Sequence, residues 1–154
     1  MQGTLVCAVA DGAGNDDAVA QSVAVSERLG LRLVLAHVVD GIAGLDDGDG
    51  ESITMKGNRV AAEHRLEELA RDHALGETAA RRVAVGDPAV QLGQIASEEA
   101  ADVIVVGARA RGWPRRRLDS RLAQELETET PVPVLVAPPR ARRPRGQTTN
   151  GARR

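Results

Sequence analysis

The chain has almost no aromatic residues: Trp113 is present, but its 154 residues include no Phe and no Tyr. A hydrophobic core must therefore be built from Val, Leu, Ile and Ala. Proteins that bind single-stranded nucleic acids commonly stack the bases on aromatic side chains. That mode of binding is excluded, and we expect no specific nucleic-acid partner.

Cysteine and long apolar runs are also scarce. Cys7 is the one cysteine, so it cannot form an intramolecular disulfide, and in the apolar segment 5–9 we expect a buried, unreactive thiol. No apolar run approaches the roughly 20 residues that span a bilayer. The first residues do not combine a basic region, an apolar stretch and a cleavage site. We therefore expect a cytoplasmic protein without a membrane partner.

Acidic and basic residues are unevenly distributed along the chain. The formal net charge is −2, but residues 138–154 contain six of the 20 basic residues and no acidic residue. The remainder has 14 basic against 22 acidic residues. The tail is rich in Arg, Pro and Gly and has no apolar pattern, which predicts disorder. We expect one domain at residues 1–138 and a disordered Arg-rich tail at 139–154.

Short apolar segments alternate with amphipathic segments along the domain. The apolar ones are rich in Val and Leu, as in strands buried on both faces of a parallel sheet. Strands are predicted at Leu5–Val9, Leu31–Val39, Arg81–Val85, Val103–Val106 and Val132–Val136. Helices are predicted from Asn15 or Asp16 to Leu29, and at Met55–Leu75, Pro88–Ala100 and Leu118–Glu129. The alternation predicts a single doubly wound α/β domain.

Three stretches resemble the universal stress proteins. They are LRLVLAHVVD at 31–40, GDPAVQLGQIASEEAADVIVVGARARG at 86–112 and LAQELETETPVPVLVAPP at 122–139. The resemblance extends from about Gly3 to Pro138. It implies a five-stranded parallel sheet of strand order 3-2-1-4-5 with helices on both faces, and commonly a dimer formed through the last strand. Some members of the family bind ATP and others do not, so the resemblance alone does not decide whether this chain binds it.

The ATP-binding signature of this family is mostly replaced here. Binding members have an Asp at the end of strand one and, after strand four, Gly, two residues, Gly, nine residues, Gly and then Ser or Thr. The glycines allow the backbone to approach the phosphates closely. The degraded site consists of Ala10 and Asp11 after strand one, Val39 at the end of strand two, Gly107 as the one matching glycine, and Arg109, Ala110, Ser120 and Arg121 after strand four.

The segment after strand four is rich in arginine. In a doubly wound fold, the carboxyl ends of the strands are where an anionic ligand is expected. One interpretation is that the positive charge of the arginines replaces the glycine-rich backbone that binds the phosphates in other members. The other is that the arginines form a solvated surface that pairs with acidic residues of the domain, which is the commoner outcome for a run of like charges. The arginines are Arg109, Arg111, Arg115, Arg116, Arg117 and Arg121.

No set of residues suggests catalysis or metal binding. His37, His64 and His73 are scattered, and His37 lies on a predicted strand, where a hydrogen-bonded core role is expected. The serines have no nucleophile elbow around them. We therefore predict a protein that is not an enzyme and that holds no metal ion.

The last predicted strand is short and apolar and lies between prolines. A strand of this kind fits the edge of a sheet, where its unpaired backbone favours association with a second copy. We expect a homodimer interface at Val132, Val134, Leu135 and Val136. The sequence thus favours a stress-response dimer that acts through an unknown protein partner and needs no cofactor. The alternative is a sensor that binds ATP or a cyclic nucleotide through Gly107 and the arginines.

Overall fold

The protein is known from a computed structural model that describes residues 2–9, 15–40, 53–107 and 116–138, with the backbone alone at 40, 53–57 and 116–121. Strands and helices alternate through these residues, as the sequence predicts. The elements are β1 (Thr4–Val9), α1 (Asn15–Leu29), β2 (Arg32–Asp40), α2 (Ile53–Asp72), β3 (Ala79–Gly86), α3 (Pro88–Glu98), β4 (Val103–Gly107), α4 (Arg116–Glu129) and β5 (Val134–Ala137).

The five strands form one parallel sheet in the order β3-β2-β1-β4-β5. Helices α1 and α2 cover one face, and α3 and α4 cover the other. The doubly wound fold predicted from the alternating pattern is therefore confirmed, and so is the strand order that the family resemblance implied. Both β3 and β5 are end strands of the described sheet, and each has one neighbour.

An aliphatic core fills both sides of the sheet. Alternate residues of one strand point to opposite faces, so that Leu5 and Cys7 pack under α1 and α2 while Val6 packs under α3 and α4. On the second face, Ile104 of β4 and Leu126 of α4 are fully buried and belong to the same apolar cluster. Val, Leu, Ile and Ala do supply the core volume that aromatic residues provide in other proteins.

Several element boundaries differ from the sequence prediction. The last strand begins at Val134 rather than Val132, because ladder pairing with β4 starts at Ile104↔Val134. Pro133 has no N–H to donate, although its carbonyl accepts a hydrogen bond from the Ile104 N–H at 2.9 Å. Val132 therefore lies before the strand. The other shifts are β1 from Thr4, β2 as Arg32–Asp40, α2 as Ile53–Asp72, β3 as Ala79–Gly86, α3 ending at Glu98, β4 ending at Gly107, α4 from Arg116 and β5 ending at Ala137.

Two family-like motifs have structural roles. Gly86 has a φ of 141°, a conformation that favours glycine, and Asp87 caps α3 by accepting a hydrogen bond from the Val90 N–H at 3.2 Å. Pro88 is the first residue of that helix. The carboxylate of Asp102, just before β4, accepts a hydrogen bond from the Thr4 N–H at 2.8 Å and so fixes the start of β1. The residues of these motifs therefore stabilise the starts of α3 and β1.

A cluster of ion pairs joins the end of α3 to two strands. Glu99 accepts hydrogen bonds from Arg32 at 2.8 Å and from Arg82 at 2.7 Å, and Arg82 also pairs with Glu98. Hydrogen bonding from Arg82, and to a smaller extent from Arg32, lowers the pKa of Glu99 against the opposing effect of burial. The folded state therefore favours the charged form of Glu99.

We expect Glu99→Gln to lower the free energy of unfolding by about 1–2 kcal/mol at pH 7, because the uncharged amide keeps one acceptor oxygen where two arginines now each bond to a carboxylate oxygen. Since the pKa of Glu99 is lowered on folding, its stabilisation is complete above the ordinary value of 4.5 and is lost as the pH falls through the lower folded-state value. Urea unfolding from pH 7 to pH 3 measures this, because the stabilisation is lost only below pH 4.5. The difference between variant and wild type should shrink toward acid pH, and the exposed Glu127→Gln is the matched control. A difference that stays constant with pH would contradict the prediction.

Candidate functional site

The candidate site lies where the carboxyl ends of β1 and β4 meet. These strands are neighbours, and their pairing ends at Ala8↔Val106. The helix that follows β1 packs on one face of the sheet, while the helix that follows β4 packs on the other. The helices after the two strands therefore lie on opposite faces of the sheet, and such a switch point is where a doubly wound sheet ordinarily has its ligand crevice.

The fold brings two of the predicted site residues to the rim of this crevice. Val39 is buried near the end of β2, and Gly107 is the partly exposed last residue of β4, so the two flank the end of β1 from either side. The predicted residues Ala10, Asp11, Arg109 and Ala110 lie outside the described residues, as do Arg111 and Arg115. Ser120 and Arg121 lie in α4, where the backbone is described.

The position at which α4 begins bears directly on phosphate binding. This helix starts at Arg116, so Ser120 and Arg121 lie in its second turn. An α-helix leaves only its first four N–H groups without partners inside the helix, and those are the groups that can donate to an anion. The N–H groups of Ser120 and Arg121 are instead committed to carbonyls one turn earlier.

Two buried groups lie on the face of the sheet that α1 and α2 cover. His37 is 5% exposed, and its Nδ1 lies 2.6 Å from the carbonyl oxygen of Val9, the last residue of β1. The expected hydrogen-bonded core role of His37 is thus confirmed. Burial raises the pKa of the Cys7 thiol to about 11, with a smaller opposing effect from the hydroxyl of Ser22. Cys7 is the inert thiol that the sequence predicted.

The other histidines do not converge on the crevice. His73 Nε2 lies 3.1 Å from Asp16 Oδ1, a hydrogen bond between the turn after α2 and the first turn of α1. Within the described ranges, no three His, Cys, Asp or Glu side chains are placed to hold a metal ion. Among the described helices, none has the length and apolar character needed to cross a membrane.

A second concave region lies between α2 and β3, where no motif in the sequence predicts a site. It has a volume of about 730 Å³ and carries charges of both signs. Arg81 Nε is 3.2 Å from Glu67, and Arg59 Nε is 4.0 Å from Glu63, so the two signs are interleaved. The lining has four arginines against three glutamates, and Arg82 also pairs with Glu98 and Glu99, so the groove has little of the excess of positive charge expected of an anion site.

A comparison with known protein families identifies the family of this chain. The model of the universal stress protein family matches residues 1–138, which include every residue that the structure describes. The chain belongs to the universal stress protein family. The resemblance noted in its three motif stretches is thereby confirmed.

Solved structures of universal stress proteins share this fold. One from Lactobacillus plantarum is 17% identical with a TM-score of 0.67, and the match covers 89% of this chain and 99% of that one. One from Archaeoglobus fulgidus in complex with dAMP is 16% identical with a TM-score of 0.62, covering 87% and 96%. A third, in complex with cAMP, is 18% identical with a TM-score of 0.57, covering 88% and 95%. No curated protein sequence matches the chain significantly.

The contacts of His37 and Asp102 are what the sequence reasoning about this universal stress protein missed. Period-two alternation places His37 on the core side, but its partner Val9 is set by the register between β1 and β2. Asp102 lies within the motif stretch 86–112, and its bond to Thr4 depends on β4 and β1 being neighbours in the sheet. The hydrophobic pattern of a single segment does not predict either contact.

Proposed function

We propose that this universal stress protein is a non-catalytic dimer that acts by binding another protein, and that its nucleotide site is too altered to bind ATP tightly. The observation that carries the proposal is the position of Ser120 and Arg121 within the second turn of α4. A phosphate group needs free N–H donors, and the helical backbone at these positions has none to offer.

The residues at the motif positions support the same conclusion. Ala110 and Ser120 stand where ATP-binding members have glycine, and each adds a Cβ where the backbone must approach the ligand. Arg121 stands in place of the hydroxyl residue, and Ala10 in place of the strand-one Asp. Four linked changes in one site weaken binding more than any one of them would.

Exposed apolar side chains on β5 support the proposed dimer. Leu135 is 49% exposed and Val136 is 45% exposed, and they lie on opposite faces of an end strand. Val132 and Val134 instead pack against the core beside α3 and α4. Of the four residues predicted for the interface, Leu135 and Val136 are therefore the ones available for contact with a second copy.

The first test of the proposal is the affinity for ATP. We expect the purified protein to show no binding tighter than the micromolar range in isothermal titration, and no nucleotide retained through purification. A submicromolar dissociation constant, or ATP released on denaturing the purified protein, would contradict the proposal. For the proposed action through a protein partner, we expect crosslinking in cells to identify a stable complex with an endogenous protein.

A second candidate function is that of a cyclic or mononucleotide sensor. The structures in complex with cAMP and with dAMP are the observations that favour it, because each of these ligands carries a single phosphate group and demands fewer phosphate donors than ATP. The arginines after β4 would then supply the positive charge. Titration with cAMP under the same conditions distinguishes this function from the first.

A further inference from the structure

The end of β1 is held differently on its two sides. Pairing with β4 ends at Ala8↔Val106, whereas pairing with β2 continues for one residue more, to Val9↔His37. Val9 is thus the first residue of β1 beyond the ladder with β4, at the point where the crevice opens. A strand end with one neighbouring strand has fewer contacts to fix its direction.

His37 supplies an additional contact at this point. Leu33 and Leu35 face the core under α1 and α2, so His37, two residues further, faces the same side. Its ring reaches back to the Val9 carbonyl with an Nδ1–O distance of 2.6 Å, and both groups are buried. A carbonyl oxygen only accepts hydrogen bonds, so Nδ1 must carry the proton and donate it.

We propose that His37 is a positioning residue for the crevice: by donating its Nδ1–H to the Val9 carbonyl, it fixes the direction in which β1 ends. The bond adds a contact from the side of β2 to a strand end whose pairing with β4 has already finished at Ala8. It also commits the neutral ring to the Nδ1–H tautomer. This role goes beyond nucleotide binding, because the end of β1 borders the crevice whatever ligand or partner occupies it.

Two amide substitutions test the role of the bond. In His37→Asn, the side-chain amide nitrogen stands at the same distance from Cβ as Nδ1 and can donate to Val9; in His37→Gln, the nitrogen is one bond further out. We expect amide hydrogen exchange at Ala8 and Val9 to be about fivefold faster in the Gln variant, as for the loss of one buried hydrogen bond. The Asn variant should stay within about twofold of wild type. Val6, in the middle of β1, is the internal reference and should be unchanged in both variants.

The tautomer of the wild-type ring is measured independently by ¹⁵N–¹H spectroscopy at pH 8. We expect the proton on Nδ1. A ring protonated on Nε2 alone would overturn the proposal even if the variants failed to fold, and so would equal exchange rates in the Asn and Gln variants. Both measurements use the protein without nucleotide, so their outcome is separate from that of the ATP and cAMP titrations.

Discussion

Leu135→Asp is expected to convert the proposed dimer to a monomer at micromolar concentration. Leu135 lies on β5, an end strand, and is 49% exposed in the single chain. In a twofold dimer the same patch serves both copies, so one substitution changes the interface twice. Two carboxylates would then face each other in an apolar contact, and burying unpaired charges opposes association.

Light scattering of wild type and variants gives the oligomeric state directly. Val136→Asp probes the other face of the same strand and should weaken the dimer as well. Leu29→Asp is the matched control: Leu29 is 67% exposed at the end of α1, away from β5, and its substitution should leave the dimer intact. A monomeric wild type, or a dimer that persists in both β5 variants, would reject this interface.

The fold could be predicted because its signals are local. Runs of Val and Leu separated by amphipathic segments indicate buried parallel strands joined by helices, and all five strands appear where these runs lie. The start of β5 could not be predicted, because Val132 and Val134 have the same β propensity. Only the register with β4, which begins at Ile104↔Val134, decides which of them belongs to the strand.

The candidate site could be predicted only in part. Its location follows from the strand order, and the replaced residues Ala110, Ser120 and Arg121 are visible in the sequence. The contacts that shape its frame are not, because they join distant positions. His37 and Val9 are 28 residues apart, and Asp102 and Thr4 are 98 apart. Such pairs form only after the strands have found their neighbours.

Restoring the signature is expected to raise the affinity for ATP by at least about tenfold, which corresponds to about 1.4 kcal/mol. The variant combines Ala110→Gly, Ser120→Gly and Arg121→Ser. Glycine is disfavoured inside a helix by up to about 1 kcal/mol, so Gly at 120 favours a start of α4 later than Arg116. The N–H groups near 120 would then be released from the helix and free to donate to phosphate.

The control for this experiment is Arg121→Ser alone, which removes the charge and restores the hydroxyl without freeing the backbone. If the lack of backbone donors limits binding, the affinity for ATP should rise little in the single variant. The triple variant should then show most of the expected gain in affinity. Equal gains would mean that Arg121 blocks the crevice, and the backbone argument would be wrong. No gain in either variant would place the obstacle elsewhere, at the end of β1, where Ala10 occupies the position of the strand-one Asp. Adding Ala10→Asp to the triple variant would then be the deciding measurement, because it restores the one remaining group on the opposite side of the crevice.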